Sequence, residues 1–342
     1  MAMTKPVLLA WARIRPLEFE SVQCQLDLTR IRPRNLTPCQ ETEKKYQISL
    51  GKTNPNKKAV RYINYYCTEL FEVSAGTLAD TIRGYIEKEG LVEAALCGVD
   101  LHSNPNMDCE SLGRIVESLM GYQIQSVNLS MNPHLGDSMV AAIQPLLVAK
   151  ESRLAELNLA KCGPGLTVAS LKQLVNIVSK SRLRLLDISY ISIRDEGELI
   201  KQIMELPTIT ELDFRFCDLS LEDVCTLAEA LPFTSVKSLL LAGNTFGSQG
   251  VMHLASKLPE SMVEELDLSA VGIEAECEGL SQLAMAWVAR PFPKLYLKNN
   301  PMGHAEVTSF IKTLQTVLVP GDPFDASLMG KSLGNANWRR CC

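Results

Sequence analysis

The stretch RLAELNLAKCG, Arg153–Gly163, places leucines at Leu154, Leu157 and Leu159 and a cysteine at Cys162. An amphipathic helix repeats its apolar residues at steps of three and four, and a half-buried strand alternates by two throughout. This stretch steps by three, then by two, and then sets a small sulfur side chain three residues on. Its meaning comes from recurrence. The phrase returns as LVEAALCGV from Leu91, IQSVNLSMN from Ile124, LRLLDISYI from Leu183, ITELDFRFC from Ile209, VKSLLLAGN from Val236, VEELDLSAV from Val263 and FPKLYLKNN from Phe292. With LAELNLAKC from Leu154 there are eight copies. Their central apolar positions, Ala94, Val127, Leu157, Leu186, Leu212, Leu239, Leu266 and Leu295, lie 33, 30, 29, 26, 27, 27 and 29 residues apart. A single period of this length marks an array of like units.

Within each unit the alternate leucines suit a short strand with one buried face, and the bend after it leaves backbone groups in need of a partner. The ninth position of the phrase can supply one: it reads Val99, Asn132, Cys162, Ile191, Cys217, Asn244, Val271 and Asn300. Asn or Cys fills five of the eight, so Val99, Ile191 and Val271 are expected to interrupt the pattern. Between phrases the spacing turns helical. In SLEDVCTLAEAL, Ser220 can cap a helix whose stripe is Val224, Leu227, Ala228 and Leu231, and SQGVMHLASKL from Ser248 does likewise. One strand and one helix cannot bury their apolar faces without neighbours.

Written as L-x-x-L-x-L-x-x-N/C-x-L, the copies resemble a leucine-rich repeat protein of the ribonuclease-inhibitor-like class over roughly residues 91–319. The resemblance implies an α/β fold: a curved solenoid with parallel strands on the concave face and helices outside. Residues 1–90 differ. PVLLAWARIR, QCQLDLTRIR, KYQISLG and AVRYINYYC read as strands, and TLADTIRGYIEKEG from Thr77 as a helix ending at Gly90. They suit a small β-rich unit, pleckstrin-homology-like, or an irregular cap. This part carries 14 Lys/Arg against 10 Asp/Glu, a formal +4, whereas residues 91–342 carry 20 against 29, or −9. Residues 320–342 are rich in Gly, Asp, Ser and Asn and read as a disordered tail.

Chemistry is sparse. The four histidines, His102, His134, His253 and His304, stand in no metal or nucleophile motif, and His253 reads as a helix-surface or core-edge residue. There is no GxxxxGK[ST] or GxGxxG, and LMGKSLG near Lys331 lacks the glycine spacing of a phosphate loop. The eleven cysteines form no CxxC, which favours reduced thiols in the cytoplasm or the nucleus. No apolar run is long enough for a membrane span, and the first residues lack a signal-peptide cleavage site. A net charge of −5 makes direct nucleic-acid binding a poor expectation. No catalytic residue, cofactor or metal is expected.

In such a solenoid the residues flanking each inward leucine project from the concave face. They are Glu156 and Asn158, Leu185 and Asp187, Glu211 and Asp213, Ser238 and Leu240, Glu265 and Asp267, then Lys294 and Tyr296. An acidic band results, with Arg215 inside it and Lys294 and Lys298 reversing its sign near the end. A polar strand face needs no partner to explain it. The phasing of the carboxylates nevertheless points to a scaffold for a basic protein partner, with Tyr296 as aromatic anchor. Ran GTPase-activating proteins have similar repeats, which implies regulation of a small GTPase as the alternative. A β-rich unit before repeats looks like CARMIL-type scaffolds, implying membranes and cortical actin. LSMNPHLGD from Leu129 and LPESMVEELDLSAV from Leu258 look like C-terminal repeats of Tonsoku-like genome-maintenance proteins, implying the nucleus. The terminal Cys341 and Cys342 resemble the doubly prenylated ends of Rab-type GTPases, and a membrane enters the account only if they are lipidated.

Overall fold

A computed structural model describes residues 98–316 apart from 105–106, 151, 163–164 and 276–277, together with short strands at 25–27 and 62–64. Among the described residues, ten three-residue strands form one parallel sheet in strictly sequential order. They are β1 (Gln25–Asp27), β2 (Tyr62–Asn64), β3 (Gly98–Asp100), β4 (Ser126–Asn128), β5 (Glu156–Asn158), β6 (Leu185–Asp187), β7 (Glu211–Asp213), β8 (Ser238–Leu240), β9 (Glu265–Asp267) and β10 (Lys294–Tyr296). From β3 on, each strand is followed by a helix: α1 (Cys109–Leu119), α2 (Met139–Val148), α3 (Val168–Val178), α4 (Gly197–Met204), α5 (Leu221–Ala230), α6 (Gly247–Lys257), α7 (Gly279–Ala289) and α8 (His304–Gln315). The chain is thus an α/β repeat solenoid.

Register follows the phrase. Val127, Leu157, Leu186, Leu212, Leu239, Leu266 and Leu295 stand opposite one another across the sheet, and all are buried. The first copy is out of phase with the expectation. β3 pairs Val99 with Val127, so Val99 holds the central position in place of Ala94, and the ninth position moves from Val99 to Asn104. LVEAALCGV mimics the phrase in its apolar residues, but only GVDLHSN carries both the strand and the asparagine that closes the bend.

That asparagine is a repeated joint. Asn132 donates through Nδ2 to the carbonyls of Leu129 (2.6 Å) and of Leu101 in the preceding repeat (3.0 Å), and its Oδ1 accepts from the Asn104 N–H at 2.7 Å. Asn300 donates in the same way to Leu297 and Leu268, and its Oδ1 accepts from Val271, Gly272 and Ile273. The expected gap at Val271 is therefore filled from the next repeat. Where cysteine replaces asparagine, the thiol reaches the same carbonyl: Cys162 Sγ to Leu129 O at 3.0 Å and Cys217 Sγ to Ile188 O at 3.3 Å. Burial pushes the Cys162 thiol up to about 12 and the Cys217 thiol higher still, so both stay protonated and donate.

The helices begin as the sequence implies. Ser220 and Asp223 form a reciprocal capping box at α5, and Val224, Leu227, Ala228 and Leu231 are buried. Asp223 also accepts the Asp195 N–H of the preceding repeat at 2.9 Å, tying neighbouring units together. His253 is exposed on α6. Strands pack about 4.8 Å apart and helices about 8–10 Å apart, so each unit is a wedge and the array curves with the strands inside. β1 and β2 pair parallel with this sheet, which carries it into residues 1–90. The remainder of 1–90, on which the pleckstrin-homology-like reading depends, lies outside the described residues, as does the tail with Cys341 and Cys342. Among the described residues no helix is long and apolar enough to cross a membrane.

Candidate functional site on the concave face

With the middle residue of each strand turned into the core, the first and third face the concavity. The first-residue column runs Ser126, Glu156, Leu185, Glu211, Ser238, Glu265 and Lys294, and the third-residue column Asn128, Asn158, Asp187, Asp213, Leu240, Asp267 and Tyr296. The two columns do different work.

The third column closes the strands. Asn128, Asn158, Asp187, Asp213 and Asp267 each accept, through Oδ1, the N–H two residues on, at 2.9–3.0 Å. This is the Asx turn, which only Asn and Asp make with such economy. The repeated turn draws the carboxylates in: Asp187 and Asp213 are only 4% and 6% exposed. The exposed acidic band that the sequence suggested is therefore layered, with buried Asp187 and Asp213 beneath half-buried glutamates and a half-buried Asp267.

Arg215 supplies the counter-charge. Its Nε lies 2.9 Å from both carboxylate oxygens of Asp213, and its terminal nitrogen closes the fork on Asp213 Oδ2. Burial works against the guanidinium charge, but Asp213, Asp187 and Asp267 together hold it firmly cationic. One arginine does not balance three aspartates. Burial, then the neighbouring Asp213 charge, pushes the Asp187 carboxyl up to about 7, and burial raises that of Asp267.

The glutamates are unevenly matched. Glu156 approaches Arg184 at 3.8 Å, and Glu265 holds Lys294 at 3.0 Å while accepting from Tyr296 Oη at 3.2 Å. Glu211, between them, has no direct hydrogen-bond or ion-pair partner among the described residues. Burial raises its carboxyl, and the charges of Glu156 and Glu265 raise it further against the opposing pull of Arg184 and Lys294. A cleft of about 380 Å³ opens here. It gathers Asp187, Glu211, Asp213, Arg215, Glu265, Asp267 and Tyr296, with Lys298. Glu156 and Asn158 lie on β5 outside its lining, and Asn158 is buried in its turn. Tyr296 is half-buried and tethered to Glu265.

The raised Asp187 carboxyl makes a signed prediction. Its native pKa, about 7, exceeds the ordinary 3.8, so the native chain binds the proton more tightly than the unfolded chain and loses stability as pH rises between those values. Asn128 and Asn158 make the same turn uncharged. Asp187→Asn is therefore expected to stabilise the protein by about 1–3 kcal/mol at pH 8 and to leave it unchanged near pH 4. Urea unfolding at the two pH values measures this, and an equal effect at both would contradict it.

Sequence reading missed one feature of this face. Tyr190 and Phe216, just beyond β6 and β7, are 46% and 45% exposed and stack with ring centroids 4.5 Å apart. Reading the phrases across the repeats, column by column, would have set them side by side. Among the described residues no group of three or more His, Cys, Asp or Glu side chains is placed to hold a metal ion.

No family model matches the chain, and comparison with curated proteins finds no match. Among solved structures, the chain is similar to one in the crystal structure of the Rad7 and Elc1 complex in yeast, at 15% identity, covering 70% of each chain with a TM-score of 0.39.

Proposed function

We propose that the protein is a non-catalytic scaffold that binds a basic protein partner on its concave repeat face. The observation that carries this is the cleft over β6–β10, where five carboxylates face two cations, one of them already committed to Asp213. Such a concavity concentrates negative potential between low-dielectric walls, because Asp187 and Asp213 pair on neighbouring strands about 5 Å apart and Asp267, Glu211 and Glu265 recur on alternate strands. Glu211, desolvated and without a direct partner, has most to gain from an incoming cation. The rigid ladder suits recognition without rearrangement. Cys162 and Cys217 donate hydrogen bonds only as free thiols, which supports a reducing compartment such as the cytoplasm.

The variant that tests the reading must spare the Asx turns, since replacing Asp187, Asp213 or Asp267 by lysine would break the strand ends. Glu156→Lys, Glu211→Lys and Glu265→Lys together reverse the upper layer alone. Affinity capture with mass spectrometry, wild type against this triple variant at two salt concentrations, is expected to show basic proteins lost with the variant and with salt. Recovery of the same proteins by both would overturn the proposal.

A further inference from the structure

Beyond the strands, the chain enters each bend through a residue with left-handed backbone. Ser103, Met131, Lys161, Tyr190, Phe216, Gly243, Ala270 and Asn299 all have φ between 55° and 76°. Each of these from Ser103 to Ala270 donates its N–H to a carbonyl of the next repeat, as Tyr190 does to Arg215 at 2.9 Å and Phe216 to Ala242 at 2.9 Å. Bulky side chains at positive φ are uncommon and cost conformational energy. Here two aromatics take such positions in adjacent repeats. Lys161 Nζ stands 4.2 Å over the Tyr190 ring, Tyr190 stacks on Phe216 at an interplanar angle of 13°, and Phe216 lies over Gly243. A Cβ at Gly243 would come within 2.3 Å of the Phe216 ring, so the glycine is what lets the stack lie down. The result is a stiff ridge with exposed ring edges, joined through Arg215 to the rim of the acidic cleft.

We propose that the Tyr190–Phe216 ridge is the apolar anchor of the partner interface, and that its occupant is a protein segment carrying a basic side chain next to an apolar one. The inference rests on the scaffold reading above and adds the second half of its recognition rule. Charge complementarity sets the basic half: the cleft beside the ridge is acidic. The apolar half follows from the ridge, because two pre-ordered aromatics, each nearly half exposed among the described residues, offer contact area at little entropic cost. The basic group reaches Glu211 in the cleft while the apolar group packs on Phe216.

The test is a phage-displayed peptide library panned against the full chain, with affinities of the selected peptides measured on variants. Selected peptides are expected to pair Lys or Arg with an aliphatic or aromatic residue within a few positions. Phe216→Ser and Tyr190→Ser should weaken them by about tenfold or more, as for central interface aromatics. Gly243→Ala keeps both aromatics but displaces the Phe216 ring, and Ala270 shows that alanine can take this backbone position; it should weaken the same peptides. Circular dichroism checks that each variant is folded. Basic peptides without an apolar preference, bound equally by all three variants, would overturn the ridge and leave the acidic scaffold standing. Peptides with no basic preference would overturn both.

Discussion

Asn244→Ala is expected to lower the free energy of unfolding by about 3–5 kcal/mol, a large effect for a single polar substitution. The side chain is fully buried and serves four backbone groups. Its Nδ2 donates to the carbonyls of Leu241 and Phe214, each at 2.8 Å, and its Oδ1 accepts from the N–H groups of Cys217 and Leu219 at 3.0 and 3.1 Å. Alanine strands all four in the core. A buried unpaired donor or acceptor costs about 1–3 kcal/mol, and a water entering the vacated space recovers part of the sum. Asn244→Cys should cost about half as much: Cys162 and Cys217 show that a thiol at this joint keeps the carbonyl contact, while the acceptor for the two N–H groups is lost. Because each repeat touches only its neighbours, the damage should loosen the array locally, and urea unfolding should become broader as well as weaker. A sharp, unshifted transition would show that the asparagine joint does not hold the repeats together.

Glu211→Lys is expected to separate stability from binding. In the free protein, the Glu211 carboxylate is desolvated and repelled by Glu156 and Glu265 while Arg184 and Lys294 attract it, so a lysine exchanges one set of repulsions for the other and escapes none of the burial. Thermal stability should change little. Affinity for the basic partner should fall by about 10- to 100-fold, with a shallower dependence on salt, because a favourable charge contact becomes a like-charge one. Titration calorimetry at two ionic strengths reads the affinity and its slope together. A variant that binds as tightly as wild type would place the partner elsewhere on the molecule.

What the sequence made legible was whatever a single repeat determines. The inward leucines, the caps at Ser220 and the stripe from Val224 to Leu231 depend on local spacing, and the structure places them as read. What needed two repeats at once was hidden. Asn104 was assigned no role because LVEAALCGV fits the phrase when read along the chain, and only pairing with β4 sets its phase. The gap expected at Val271 is closed by Asn300, twenty-nine residues on. Asp187, Asp213 and Asp267 read as exposed charges, yet their turns and the crowding of adjacent strands bury the first two and half-bury Asp267, which shifts the working surface to the glutamates. The ridge was missed for the same reason: Tyr190 and Phe216 are 26 residues apart in sequence and stacked in space.

The most direct test of the acidic concave face as the working surface is hydrogen exchange on the full chain, free and bound to the basic partner that wild type captures and the glutamate variant loses. Exchange should slow on binding at 185–190, 211–216, 238–243 and 265–270, with α5 and α6 unchanged on the outer side. Protection confined to the helices or to residues 1–90, with the strands exchanging as in the free protein, would contradict the account.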